Sequence, residues 1–391
     1  MIWFALIFPF LGTALVLSIK SLREKTVWWE LMIPIAATVL AIFISKFIIE
    51  KTMTDDIEYW GSYVMSAEYY EDWNEYIHQT CTRTYTDSDG NSHTETYDCS
   101  YVSYHSEYWQ VNTNIGQELR ISENRFNYYV KKFGGKKFVD LHRDYHTDDG
   151  DKYITKFNGD FNILEPITVT YTYENRVVAS NSIFKFEKAD TATFKLFEYK
   201  EPDNNYQINS ILTQKTNIYN IREANKLLSQ YNALLGHKKE ARMWFLIFDN
   251  KDYQYSIQQE NYWQGGNKNE FIVVLSLNDS NHVQWCRIIS WSESEQLKVD
   301  VRNYIKNMGK FDLIKAIQYT KDGVEKQFIR KNFEEFNYLN VEPTETALII
   351  VYILSLLITI GTVIFIIKND IYENTNNSNS YNNFRRYTGR R

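Results

Sequence analysis

The chain has 391 residues, with 43 Lys and Arg against 49 Asp and Glu and a formal charge of −6. Its residues are 44% hydrophobic and 16% aromatic, with only 5 Pro. Such a chain can fill a core, which excludes a disordered polymer, a collagen-like fibre and a histone-like basic protein.

The hydrophobic residues are unevenly placed. Ile2 to Ile19 and Leu31 to Ile49 are apolar apart from Lys46, and Ala347 to Ile367 carries no charge. A helix needs about 20 residues to cross a hydrocarbon core of roughly 30 Å. The pattern therefore predicts three transmembrane helices, over 2–19, 31–49 and 344–367. Lys46 lies near the end of its run and can extend its ammonium to the interface. A cleaved signal peptide is the alternative for the first run, but no charge precedes Lys20 to make a basic n-region. Lys20, Arg23 and Lys25 follow the first run, with Trp28 and Trp29 as interfacial anchors. Lys368, Arg385, Arg386, Arg390 and Arg391 follow the third. The positive-inside rule puts both groups in the cytoplasm. Residues 51–343 and the N-terminus are then expected outside the cytoplasmic (inner) membrane, with 368–391 a disordered basic tail inside. Charge agrees: residues 1–50 sum to +1 and 344–391 to +2, leaving −9 for the middle.

Residues 51–205 read as a β-rich lobe, dominated by Tyr, Thr, Val and Phe. Thr82 to Tyr85 and Thr94 to Tyr97 flank a turn at Asp89-Gly90 and predict a hairpin. A second hairpin is expected from Ile167 to Tyr173 and Arg176 to Ala179, turning at Glu174-Asn175. A helix from Glu123 to Phe133 is capped by Ser122 and stopped by Gly134-Gly135. Cys81 and Cys99 bracket the first hairpin and, in an exported chain, make a disulfide candidate worth about 3 kcal/mol. Two buried thiols are the alternative. Cys286 reads as a lone buried strand thiol.

Residues 206–325 read as a small α/β lobe. A helix from Glu223 to Leu235 is ended by Gly236, and a strand follows over Ala241 to Phe248. A helix from Asp252 to Trp263 precedes strands over Phe271 to Leu277 and Val283 to Ile289. Ser292-x-x-Glu295 forms a capping box opening a last helix that Gly309 ends. Residues 326–343 are expected to be a helical stalk. The fold class is thus an α+β membrane protein, three transmembrane helices flanking a large two-lobed ectodomain.

The densest polar run is Asp140 to Asp151. His142 and His146, with Asp144, Asp148, Asp149 and Asp151, would suit a transition metal or, around Gly150, Ca²⁺. A polar turn explains the same residues, so a divalent metal or none remain the two cofactor readings. Asp87-Ser88-Asp89-Gly90 imitates a calcium loop, but its hairpin role accounts for it. Nucleophile-elbow, Walker, His-Glu-x-x-His and dinucleotide signatures are absent from the sequence. Glu71, Asp72 and Glu75 read as a solvated face. Tyr69, Tyr70, Trp73, Tyr76, Tyr104, Tyr108 and Trp109 crowd one region, where those not needed for the core would form an adhesive surface. Nucleic acid is excluded as a partner, since aromatic platforms for it need a basic groove and this region is acidic. The basic tail would touch anionic lipid or serve only as a topogenic signal.

Two resemblances bear on function. The element order of 206–325, with Tyr262-Trp263-x-Gly265-Gly266-x-Lys268-Asn269 before an apolar strand, a polar turn and a second strand, resembles the TPM domain. That family consists of membrane-tethered α/β domains facing an extracytoplasmic space, linked to metal binding, to assembly of membrane complexes and to phosphatase activity. Asp249, Asp252 and Asp279 are the nearest acids here to that family's metal cluster. The whole layout is similar to membrane proteins of tailed bacteriophages, through Tyr59-Trp60-Gly61, the 81–99 hairpin and Phe138-Val139-Asp140-Leu141-His142-Arg143-Asp144-Tyr145-His146. The expectation is a non-enzymatic, phage-encoded protein of the bacterial cell envelope that binds an envelope protein, with a homo-oligomer open. A metal-dependent extracytoplasmic hydrolase of phosphoesters (a TPM-like phosphatase), whose activity would depend on His142 or Asp249, with Asp279 a further candidate metal ligand, is the alternative. A holin-like pore is disfavoured because most of the mass lies outside the bilayer.

Overall fold

The computed structural model describes residues 2–21, 28–141, 150–180, 186–202 and 209–369. A 3-10 turn, Ile2–Leu6, runs into α1 (Ile7–Ser21), and α2 (Trp28–Thr54) passes directly into β1 (Asp55–Tyr70). Then come β2 (Trp73–Ile77), β3 (Thr80–Thr86), β4 (Ser92–Asp98), β5 (Tyr101–His105), β6 (Tyr108–Thr113) and β7 (Glu118–Ile121). Helix α3 (Glu123–Phe133) starts at Ser122, whose side chain accepts from the Arg125 N–H, and stops at left-handed Gly134, as the sequence predicts. After it lie β8 (Lys137–Val139), β9 (Lys152–Lys156), β10 (Pro166–Glu174) and the single turn α4 (Arg176–Ala179). The rest is β11 (Ile211–Thr213), α5 (Ile221–Lys239), β12 (Arg242–Asp249), α6 (Gln254–Tyr262), β13 (Glu270–Leu277), β14 (Val283–Ile289), α7 (Glu295–Lys306), α8 (Leu313–Gln327) and α9 (Glu345–Asn369).

Two compact units emerge. The first holds the described parts of 1–56, 172–185 and 333–391. Within it α1, α2 and α9 pack on one another, burying Ile2, Ala5, Ile42, Leu348 and Val351 in one cluster and Val16, Val363 and Ile366 in another. Their outer faces expose Phe10, Leu11, Leu40, Phe47, Ile350, Leu357 and Phe365. So much exposed apolar surface in one belt calls for lipid or a partner. Met32–Thr54 and Glu345–Lys368 are long and apolar enough to cross a membrane, whereas the apolar helix Ile2–Ser18 is shorter. Its opening 3-10 turn matters here. At about 2 Å per residue against 1.5 Å in an α-helix, the turn and α1 together rise roughly 32 Å. Gly12 is a contact point with α9: a Cβ there would meet the Thr359 methyl and lie 3.2 Å from Val363 Cγ2.

The second hairpin expected in the sequence is not formed. Asn175 instead caps α4, its side chain accepting from the Val178 N–H. Its amide donates to Asp56 at 2.7 Å, and the Tyr173 hydroxyl donates to the same carboxylate at 2.8 Å. These bonds fix the chain as a turn of helix rather than a returning strand. The expected stalk over 326–343 also differs. Among its residues beyond α8 only Phe333–Phe336 is helical, a 3-10 turn. Phe333, Phe336 and Leu339 are buried at a spacing of three, which suits that tighter winding.

The second unit holds the described parts of 57–171 and 186–332. Its first sheet runs β7-β6-β1-β9-β8, with β10 also on β1. One face packs Val64, Ala67, Val111 and Ile167 against Phe126, Tyr129 and Phe133 of α3. Its second sheet runs β11-β12-β13-β14, the first three strands parallel and β14 antiparallel. Alternation along β12 decides the layers: Met243, Phe245 and Ile247 face α5, α7 and α8, while Trp244, Leu246 and Phe248 join Tyr59, Trp263 and Trp285 on the other side. Residues Phe186–Pro202, assigned by sequence to the β-rich lobe, cover that second side through Leu196, Phe197 and Tyr199.

Several predicted helix ends move, among them that of α7, which closes at Asn307 and not at Gly309. Gly236 does not end α5. It faces Gly61 of β1, where a Cβ would run into the Gly61 carbonyl, and a Cβ on Gly61 would run into the Asn232 carbonyl. The helix continues to Lys239 and closes at left-handed Glu240. Helix α7 is capped by Ser294, which accepts from the Leu297 N–H, because the Ser292 hydroxyl is engaged with the Ile329 backbone.

Candidate binding arm

β1 and β6 end on the pair Tyr70 and Tyr108, and the chain continues as a two-stranded ribbon. β2 pairs with β5, from Trp73 opposite His105 to Ile77 opposite Tyr101. Beyond it β3 pairs with β4 in unbroken register, from Thr80 opposite Asp98 to Thr86 opposite Ser92. At about 3.3 Å per residue, the stretch from Glu71 to Thr86 reaches on the order of 50 Å. A lone two-stranded ribbon is marginal in water. This one is stapled by the Cys81–Cys99 disulfide, with Cα atoms 5.8 Å apart, as the spacing predicts. Gln79 adds a clasp, its carbonyl accepting from the Cys99 N–H at 2.9 Å and its N–H donating to Ser100 Oγ at 3.1 Å. At the tip the Asp87 carboxylate accepts from the Asn91 N–H at 2.8 Å and the Asp89 N–H at 3.0 Å, and pairs with His93. The Asn91 N–H above all, with His93, holds the Asp87 carboxyl below the usual carboxylate range.

Strand alternation gives the distal ribbon two different faces. Thr80, Thr82, Thr84 and Thr86 stand opposite Asp98, Thr96, Thr94 and Ser92 on one; Cys81, Arg83 and Tyr85 stand opposite Tyr97, Glu95 and His93 on the other. The predicted interface aromatics separate. Tyr69 and Trp109 stack at 5.1 Å and pack on the α3 core, so they fill the interior rather than offer a surface. Tyr70 and Tyr108 stack at 4.6 Å, with Lys152 and Arg120 over their rings. Burial, then hydrogen bonds to Glu107 and Glu68, raises the hydroxyl pKa values of Tyr69 and Tyr70. Trp73 stacks on His105 at 4.0 Å, and Tyr76 meets His78 edge-on. Tyr104 is 62% exposed and donates to Asp72 at 3.1 Å. Tyr101 and Val102, 51% and 60% exposed, join it at the arm's base. Tyr101 belongs to the same aromatic-rich stretch of sequence, whereas Val102 carries no sequence signal beyond its place between Cys99 and the core strand β6.

The predicted metal residues do not assemble. His142, Asp144, His146, Asp148 and Asp149 lie outside the described residues. Asp151 accepts from the Leu141 N–H at 3.1 Å. Asp249 is held by the Lys215 ammonium at 2.7 Å, and Asp279 sits in the β13–β14 turn. Among the described residues no group of three His, Cys, Asp or Glu side chains is placed to hold a metal ion.

Two further features belong to the α/β sheet. Glu270 and Arg242 are fully interior neighbours on β13 and β12. Glu270 accepts from Tyr199 at 2.5 Å, Trp244 Nε1 at 2.7 Å and the Asn267 N–H at 2.9 Å. Burial nevertheless raises its pKa and lowers that of Arg242. Arg242 donates to Ser210 at 3.2 Å, while its Nε and Nη1 find no acceptor among the described residues. Past the carboxyl end of β13 a cavity of about 630 Å³ is bordered by Tyr219, Leu277, Met308, Lys310, Phe311 and Ile314. It lies where α/β sheets commonly take ligands. Comparison with protein-family models, curated proteins and solved structures finds no match to this chain.

Proposed function

We propose that the protein is a three-span integral membrane protein of a bacterial cell envelope, whose exported domain binds an envelope protein through the ribbon arm. The arm is the observation that carries the reading. It is solvated on both faces, cross-linked, and bears Tyr101, Val102 and Tyr104 exposed at its base. Exposed aromatics on a rigid support are the residue types that dominate protein–protein recognition. The disulfide favours an oxidising compartment for residues 51–343, the same side that the basic loop and tail assign them. The belt of exposed apolar side chains on α1, α2 and α9 favours lipid as their solvent. Phage origin and a TPM-like role in assembling membrane complexes are compatible with this reading and rest on resemblance alone.

A photocrosslinking residue in place of Val102, in the full chain in native host membranes, tests it. A second probe at Val299, exposed on α7, is the control. Position 102 should give a discrete adduct with one envelope protein that position 299 does not. Equal adducts at both positions, or none at 102, would sink the proposal.

A further inference from the structure

The distal ribbon has two strand edges, and among the described residues β3 pairs only with β4. Natural edge strands are guarded by charged side chains, above all Lys, by Pro, by bulges or by a covering element, and here the mid-strand charges are Arg83 and Glu95, of opposite sign. β3 and β4 contain neither Pro nor Lys, and their register is unbroken. They are built of Thr and Tyr, which favour pleated strands. Such edges recruit another strand.

Charge selects which strand. Arg83 stands at the middle of β3 and Glu95 opposite it at the middle of β4, where the two pair. A two-fold pairing of β3 with a second β3 centred on that position would set Arg83 against Arg83. The same for β4 would set Glu95 against Glu95. Like charges directly opposite are destabilising in a sheet. Laying β3 of one copy beside β4 of the next reverses the sign. The strand order β3-β4-β3-β4 stays antiparallel throughout, and the same residue pairs face one another between copies, with the hydrogen-bonded and non-hydrogen-bonded pairs exchanged. Arg83 meets Glu95, and Thr84 meets Thr94, whose hydroxyls lie 3.3 Å apart within the ribbon.

We propose that the partner of the distal ribbon is a second copy of this chain, added edge to edge so that β3 pairs with the neighbour's β4. The contact is heterologous, so successive copies either close into a ring or extend as a filament. The inference rests on the exported, solvated arm proposed above, but it concerns the tip rather than the aromatic base. A crosslink at Val102 and association through β3 and β4 can therefore fail independently.

The test is the mass of the full chain in detergent, by light scattering across a concentration series. Wild type should form multimers. Arg83→Glu alone and Glu95→Lys alone should each shift association to roughly tenfold higher concentration, because each puts like charges across the contact. An equimolar mixture of the two variants should regain wild-type association: each β4 then meets an opposite charge on its neighbour's β3. Neither variant regains its own internal pair, so recovery on mixing cannot come from refolding the ribbon. A monomer at every concentration overturns the proposal. So does a multimer that ignores both substitutions, or a mixture no better than its components.

Discussion

Gly236 and Gly61 let a helix and a strand touch backbone to backbone, and that contact decides the sign of a simple substitution. Gly to Ala inside a helix ordinarily adds about 1 kcal/mol of stability. At Gly236 the new Cβ would strike the Gly61 carbonyl, and overpacking a fixed backbone costs about 1–3 kcal/mol or more. Gly236→Ala is therefore expected to lose about 2 kcal/mol net, read as a lower denaturant midpoint of the full chain in detergent. Glu270 gives a pH prediction. Its folded pKa lies above the ordinary value because burial disfavours the carboxylate. Such a group stabilises most below its unfolded pKa of about 4.3, and that contribution fades as pH rises through the folded value. The stability of wild type minus that of Glu270→Gln should fall from pH 4 upward, by about 1.4 kcal/mol for each unit separating the two pKa values. A difference independent of pH would show that burial does not govern Glu270.

Among the elements, those with local signals were legible in the sequence. The Ser122 cap and Gly134 stop delimit α3, and Asp89-Gly90 marks the turn between β3 and β4. The cysteine spacing gave the staple. What was not legible depends on distant partners. Asn175 reads as a turn until Asp56 is brought beside it, and Gly236 reads as a helix stop until β1 supplies Gly61. Ser292 fits a capping box until Ile329 claims its hydroxyl. The aromatic set was half legible: composition located the region, but only the pairing of β1 with β6 and β9 turns Tyr69 and Trp109 inward, and only that of β2 with β5 leaves Tyr104 outward. The staple has its own test. Replacing Cys81 and Cys99 with Ser removes about 3 kcal/mol of cross-link stabilisation, borne by a ribbon with little core. Trypsin should then cut at Arg83 at least tenfold faster, while cleavage at Arg242 in β12 stays unchanged.

For the molecule as a whole, the proposed residence in lipid rests on the packing of α1, α2 and α9. Gly12→Leu would push α1 off Thr359 and Val363. The SDS mole fraction at which the helices separate should drop, by an amount equivalent to about 1–3 kcal/mol. An unchanged midpoint would mean that α1 does not pack on α9 in solution as it does here.

The direct passage of α2 into β1 has a mechanical consequence. β1 is laddered on one side by β6 and on the other by β9, and only Glu71 and Asp72 separate it from the arm. A pull on the ribbon thus loads two ladders lengthwise, where many hydrogen bonds must give way at once. On the proposed reading, with α2 in lipid and a partner at the tip, no loop intervenes between helix and strand to take up tension by unravelling.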